Sequence, residues 1–305
     1  MITPQPLRRL TLTAAQGAPD RLSAASGIVV AGEFLYVIAD DELHLGVFDL
    51  GGQDDGRWLR LFAGELPEAA AERKALKPDL EALVRLPPFA GYPGGALLAL
   101  PSGSRPNRQT GALLGLQASG ALSGDPRAVD LSALYAPLLL RFPALNIEGA
   151  VIREGELVLL QRASGAHPDN ALIGFALSRL LEVLSADEEL RLPELAARVT
   201  KIDLGHIDGV PLGFTDAAVL PDGRLVFSAV AENVDDTYHD GPCVGAVIGV
   251  LGLDGQVQGL ERLDPVLKIE GVDARQEGAV VRLLLVTDAD DRAEPGVLLS
   301  ASLSI

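Results

Sequence analysis

Residues 145–160 read LNIEGAVIREGELVLL. Two apolar runs flank Glu154-Gly155, and a carboxylate, Glu148, stands at the entrance of the first. Glycine permits the positive φ of a tight turn, so the stretch reads as a β-hairpin with an acid at its mouth. The same device recurs along the chain. VVAGEFLYVI (29–38) turns at Gly32-Glu33, VLPDGRLVFSAV (219–230) at Pro221-Asp222-Gly223, and VDARQEGAVVRLLLV (272–286) at Glu277-Gly278. The entrance phrase recurs too, as AASGIV (24–29), DLEALV (79–84), FTDAAV (214–219) and KIEGV (268–272).

Aligned on Ser26, Glu81, Glu148, Asp216 and Glu270, the repeats are separated by 55, 67, 68 and 54 residues. A period of this size in a chain of short, turn-bounded apolar runs predicts a β-propeller, a toroid of small antiparallel sheets. The third repeat divides into strands A to D near 148–153, 156–161, 172–179 and 199–204. The last repeat runs out after three strands, while LRRLTLT (7–13) is a strand without a repeat. A ring closes when the N-terminal strand completes the last sheet, which also removes an open edge. The reading is all-β, five four-stranded blades in a single domain over 1–305. A sixth blade within 104–145 is the alternative. One helical insertion is expected near 177–197, with Pro193 inside it, and a shorter helix at 67–76.

Bulk composition narrows the function. The 305 residues are 48% hydrophobic but only 4% aromatic, and the formal charge is −17. A nucleic-acid binder needs a positive footprint, so nucleic acid is excluded as a partner. No run approaches the ~18 apolar residues of a membrane helix, and the N-terminal stretch carries no signal-peptide core. These features predict a cytoplasmic protein that does not engage membranes; oligomeric state is not readable. The single cysteine, Cys243, rules out an internal disulfide and a cysteine zinc cluster. The G-x-S-x-G elbow, the Walker A loop, H-E-x-x-H and the dinucleotide fingerprint are all missing from the sequence.

In a propeller, strand A lines the central channel, and the D–A and B–C connections share one face. Acids at the start of strand A therefore meet at the channel mouth. Glu81, Glu148, Asp216 and Glu270, brought together without counter-charge, either protonate or bind a cation. Carboxylates with an amide oxygen suit Ca²⁺, and Asn146 lies two residues before Glu148, so the expected metal set is Glu81, Glu148, Asn146, Asp216 and Glu270. The B–C loops bring Arg105 and Arg162 to the same mouth, and Lys77 and Lys268 precede two of the acids. With Ser102 of the SGSR loop, these form the expected binding set for a small anionic molecule. Glu148 and Glu81 are the expected catalytic acids, and His239 a proton shuttle. The competing reading is structural: an acid at a strand start can bond neighbouring backbone N–H groups.

In the phrases KPDLEAL, LPSGSR, LNIEGAVI and LVLLQRASG, the chain resembles an uncharacterised bacterial β-propeller family. That family is similar to phytase-like (esterase-like) propellers and, more distantly, to the gluconolactonase, paraoxonase and strictosidine-synthase group. The resemblance implies a divalent metal at the channel mouth, with Glu81, Glu148, Asn146 and Asp216 in the ligand positions. By analogy with calcium phytases it casts Arg105, Arg162 and Lys77 as substrate binders. The resulting expectation is a metal-dependent hydrolase of a small anionic ester, phosphoester or lactone. The alternative is a non-catalytic ligand-binding or protein-interaction propeller.

Overall fold

A computed structural model describes residues 1–14, 18–163, 167, 169–186, 189–232, 243–289 and 291–305. The chain begins with β1 (Gln5–Arg9), and the first sheet is β2 (Ala25–Ala31), β3 (Phe34–Ala39), β4 (His44–Asp49) and β5 (Arg57–Arg60). After α1 (Ala70–Leu76) the second sheet follows: β6 (Leu80–Leu86), β7 (Ala96–Pro101), β8 (Thr110–Leu116) and β9 (Leu122–Asp130). Next, α2 (Ser132–Arg141) leads into β10 (Ile147–Arg153), β11 (Glu156–Gln161), β12 (Asn170–Ala176), α3 (Leu177–Ala186) and β13 (Ala197–Ile202). The fourth sheet is β14 (His206–Ile207), β15 (Val210–Val219), β16 (Leu225–Glu232), β17 (Cys243–Leu251) and β18 (Val257–Arg262). The last is β19 (Ile269–Glu277), β20 (Val280–Thr287) and β21 (Val297–Ser304), completed by β1 in the order β1-β21-β20-β19.

The protein is a five-bladed β-propeller. The innermost strands β2, β6, β10, β15 and β19 pack each against the next, and β19 closes on β2. The segment 104–145 contributes β8, β9 and α2 to the second and third repeats rather than a sixth blade. Turn chemistry accounts for the hairpins. Glu154 and Gly155 have φ of 50° and 78°, the two left-handed residues of a type I′ turn, and Arg153 pairs with Glu156 across it.

Two helical details differ from the sequence expectation. Among the described residues, the insertion in the third blade is helical over 177–186, and the strand before it ends at Ala176. The second detail is α2, SALYAPLLLR, whose nearly uninterrupted apolar run hides a helical period; it is held by Leu134, Tyr135 and Leu138, all buried. Between blades the core is aliphatic with a few aromatic keys. Phe214 and Phe227 meet edge to face at 5.4 Å, and the Tyr36 hydroxyl donates to the Gly120 carbonyl oxygen at 2.7 Å, tying the first blade to the second.

Candidate active site at the channel mouth

Every inner strand carries a β-bulge, near its start in four blades and in the middle of the longer β15. The register slips at Ser26, Glu81, Glu148, Thr215 and Glu270. A bulge leaves one residue unpaired and re-aims its side chain, here at the mouth-side end of the strand. The residue that follows is glycine in three blades, and the reason is contact between inner strands. A Cβ on Gly149 would lie 3.1 Å from Asp216 Cα, and one on Gly27 or Gly271 would lie 3.1 Å from a neighbouring backbone nitrogen. The recurring Glu-Gly pair is thus one acid re-aimed by the bulge and one residue without a side chain where strands touch.

Asp216 falls one residue past this position. Thr215 occupies it and bonds the Ser228 hydroxyl at 2.6 Å, while Asp216 Oδ2 accepts from the Val272 backbone N–H at 2.8 Å. The sequence alignment on Asp216 is therefore out of register by one. This acid takes the structural role, satisfying an inner-strand amide of the next blade. Burial pushes its carboxyl well above the usual carboxylate range.

Three bulge acids remain, and Arg162 organises them. Its side chain is 12% exposed; Nη1 lies 3.2 Å from Glu148 Oε2 and 3.9 Å from Glu270 Oε1, and Nη2 bonds Glu232 Oε2 at 2.6 Å. The Asn146 amide donates to Glu148 Oε1, so both oxygens of Glu148 accept hydrogen bonds. Lys268 bonds Asp288 at 3.1 Å and lies 3.6 Å from Glu270 and 3.8 Å from Glu232. Glu270 Oε1 is buried and accepts no hydrogen bond among the described residues. Four blades thus contribute to one junction, because Glu81 also feels Arg162 and Lys268.

A second knot adjoins it. Lys77 bonds Asp40 and, at 2.9 Å, Asp79; Asp79 Oδ2 also accepts from Arg108 at 2.7 Å and from the Ser102 hydroxyl. Asp40, Asp79 and Glu81 bring one oxygen each to within 4.8 Å of one another. Beyond them Arg73, from α1, bonds Glu42 at 2.5 Å and the Asp41 carbonyl oxygen at 2.9 Å, and Arg292 reaches Asp41 at 3.2 Å.

Among the expected binding residues, Arg162, Lys77, Lys268 and Ser102 all lie in these networks, each engaged with carboxylates. Arg105 is half-buried in the same loop as Arg108, and its carbonyl oxygen accepts from the Arg108 N–H. His239 falls outside the described residues. Glu232, Arg108, Asp40 and Arg73 were not singled out by sequence. Arg108, Asp40 and Glu232 belong to the polar B–C stretches PSGSRPNR (101–108), ADDE (39–42) and AENVDDTYHD (231–240), which the propeller reading brings to the mouth; Arg73 lies on α1, and nothing in its neighbours marks it.

Electrostatically the junction is acid-rich: Glu81, Glu148, Glu232, Glu270 and Asp288 face Arg162 and Lys268. Burial, opposed by Lys268 and Arg162 and reinforced by Glu232 and Asp288, pushes Glu270 up to about 8. Burial and the adjacent Asp79 push Glu81 up to about 7. Burial raises Glu148 too, with Arg162 opposing it. Carboxyls near neutrality can pass protons in either direction at physiological pH.

Comparison with known proteins bears on the fold. Over 100% of this chain and 98% of that one, the structure is similar to the glutaminyl cyclase of Myxococcus xanthus, with TM-score 0.51 and 11% identity. A luciferin-regenerating enzyme matches with TM-score 0.44 and 9% identity over 93% of this chain and 92% of that one. The hydrazine synthase of Kuenenia stuttgartiensis matches with TM-score 0.39 and 12% identity over 90% of this chain; this chain spans 60% of that one. At 11% identity the likeness to the cyclase is one of fold alone. No curated protein matches the sequence. Among the described residues, no helix is long and apolar enough to cross a membrane. The expectation of an uncharacterised family is met directly: residues 21–303 match the family of unknown function DUF6929, and the chain belongs to that family.

Proposed function

We propose that the protein hydrolyses small esters or lactones by acid–base chemistry among the channel-mouth carboxylates. The observation that carries this reading is the junction at Arg162, where carboxylates of three blades share one buried guanidinium. Burial raises the Glu148 carboxyl, but Arg162 and Asn146 each donate to one of its oxygens, and those two bonds favour the ionised form that a general base needs to take a proton from water. Glu270, pushed up to about 8, suits the acid that protonates the leaving oxygen. Arg162 and Lys268 then stand where charge develops on the tetrahedral intermediate. The surplus of acids favours a neutral ester or lactone over the anionic molecule expected from sequence.

A calcium ion is the second reading, supported by the oxygens of Asp40, Asp79 and Glu81. Hard carboxylate donors suit Ca²⁺. The Lys77 ammonium, however, already bridges two of these acids, and Arg108 and Ser102 hold the far oxygen of Asp79. The triad therefore fits an ammonium as it stands, and an ion has to displace Lys77. Of the ligand set expected from sequence, only Glu81 is in it.

The test is a screen of p-nitrophenyl acetate and butyrate, γ- and δ-lactones, and p-nitrophenyl phosphate, on wild type, E148Q and E270Q, with and without EDTA. The expected result is ester or lactone turnover that EDTA leaves unchanged and that E148Q lowers by about 10²-fold or more. Loss in EDTA moves the assignment to the calcium reading. No turnover of any substrate moves it to a non-catalytic, ligand-binding propeller.

A further inference from the structure

Opposite the mouth, a cavity of about 830 Å³ opens at the seam between the last blade and the first. It lies at the far end of the inner strands, against Gly32 of the β2–β3 turn and Glu277 at the end of β19. Its volume is within the range of small-molecule sites, about 300–1,000 Å³. Nothing in the mouth chemistry uses it.

Alternation along β19 places Asp273, Arg275 and Glu277 on one face. Their partners differ. Glu277 is taken by Arg282 at 3.3 Å, and Arg282 also bonds the Ser302 hydroxyl at 2.9 Å. Asp273 Oδ2 accepts from the Val30 backbone N–H at 3.2 Å, which leaves Oδ1 without a donor among the described residues. Arg275 lines the cavity and has no hydrogen bond or ion pair among the described residues. An open guanidinium and a half-satisfied carboxylate thus stand two residues apart on one strand, about 6.7 Å between Cα atoms. Adjacent ammonium and carboxylate groups, each with a hydrogen bond of about 2.9 Å, bridge such a gap. Val30, Leu50 and Leu284 supply an apolar wall beside them.

We propose that this cavity binds a free α-amino acid with an apolar side chain, Arg275 taking its carboxylate and Asp273 its ammonium. The carboxylate pairs with a planar fork of donors. Burial holds the Asp273 carboxyl above its ordinary range, and an arriving ammonium favours its ionised form. The site is independent of the mouth.

Saturation-transfer NMR and calorimetry with L-leucine test this, with 4-methylpentanoate and 3-methylbutylamine as its two halves. Leucine is expected to bind wild type, and each half to bind at least about tenfold more weakly. R275Q, at an exposed residue, and D273N, which keeps an acceptor for Val30, are each expected to weaken leucine binding about tenfold or more. E148Q, at the mouth, is expected to bind leucine as wild type does. Three results overturn the proposal: no leucine signal up to about 10 mM, equal binding by R275Q, or half-ligands that bind as tightly as leucine.

Discussion

Glu270 shows how the mouth couples charge to stability. Its carboxyl is raised from 4.5 to about 8, first by burial, with Lys268 and Arg162 pulling the other way. The folded state therefore holds a proton that the unfolded chain releases between pH of about 4.5 and about 8. The stabilisation tied to that proton is fully present below about 4.5 and is lost as pH rises through about 8. E270Q cannot ionise, so its melting temperature is expected to fall less than that of wild type between pH 5 and pH 8, and to exceed wild type at pH 8. Parallel melting curves for the two proteins across that range would remove Glu270 as the titrating group. Arg162 works in the opposite sense to an exposed pair such as Arg179–Glu182, whose partners are 64% and 61% exposed. Surface pairs contribute about 0–1 kcal/mol, whereas removing one member of a buried pair costs about 3–5 kcal/mol.

At the scale of the strand, the bulge joins architecture to chemistry. It re-aims the acid, and the glycine after it lets inner strands touch. At Gly149 a Cβ would press on Asp216 Cα at 3.1 Å and Oδ1 at 3.0 Å, whereas nothing lies within 4 Å of a Cβ at Gly259. G149V is therefore expected to destabilise by about 1–3 kcal/mol, and G259V to stay within about 0.5 kcal/mol. Urea midpoints of the two variants decide it; equal midpoints would mean that the inner strands separate freely. The same bulge explains what the sequence withheld. Turn residues and alternating apolar runs announce each hairpin locally, so blade count and inner strands were legible. A bulge adds one residue and breaks alternation, so FTDAAV offered both Thr215 and Asp216 for one position, and the acid won on chemistry. Pairing across blades has no local mark, and neither Glu232 on Arg162 nor Arg73 on Glu42 could be read from neighbours in sequence. The helix α2 escaped for a related reason, since its run of leucines around Pro137 is stabilised by packing rather than by a visible period.

For the whole molecule the decisive event is closure of the ring. The family match begins at residue 21, yet the last blade takes its outer strand from residues 5–9, pairing Gln5 with Ser300 and Arg9 with Val297. Beyond β1 the chain stays docked: Leu10 and Leu12 are buried at 0% and 2% exposure. The Leu10 N–H donates to the Gly296 carbonyl oxygen, and the Leu10 carbonyl oxygen accepts from Leu22, both at 2.9 Å. Burying two leucines contributes about 3–6 kcal/mol at about 1.5–3 kcal/mol each, before the β21 ladder is counted. A chain starting at residue 13 leaves β21 as an open edge next to an apolar seam, a template for pairing with another copy. Its melting temperature is expected to fall and its light-scattering mass to rise with concentration. A synthetic peptide of residues 1–14, added in trans, is expected to restore both in proportion to its concentration, because it binds the folded ring and not the unfolded chain. A truncated chain that melts with wild type and stays monomeric would show that the four intact blades and a three-stranded fifth hold the ring unaided. The N-terminal strand would then be an edge cover rather than the closure.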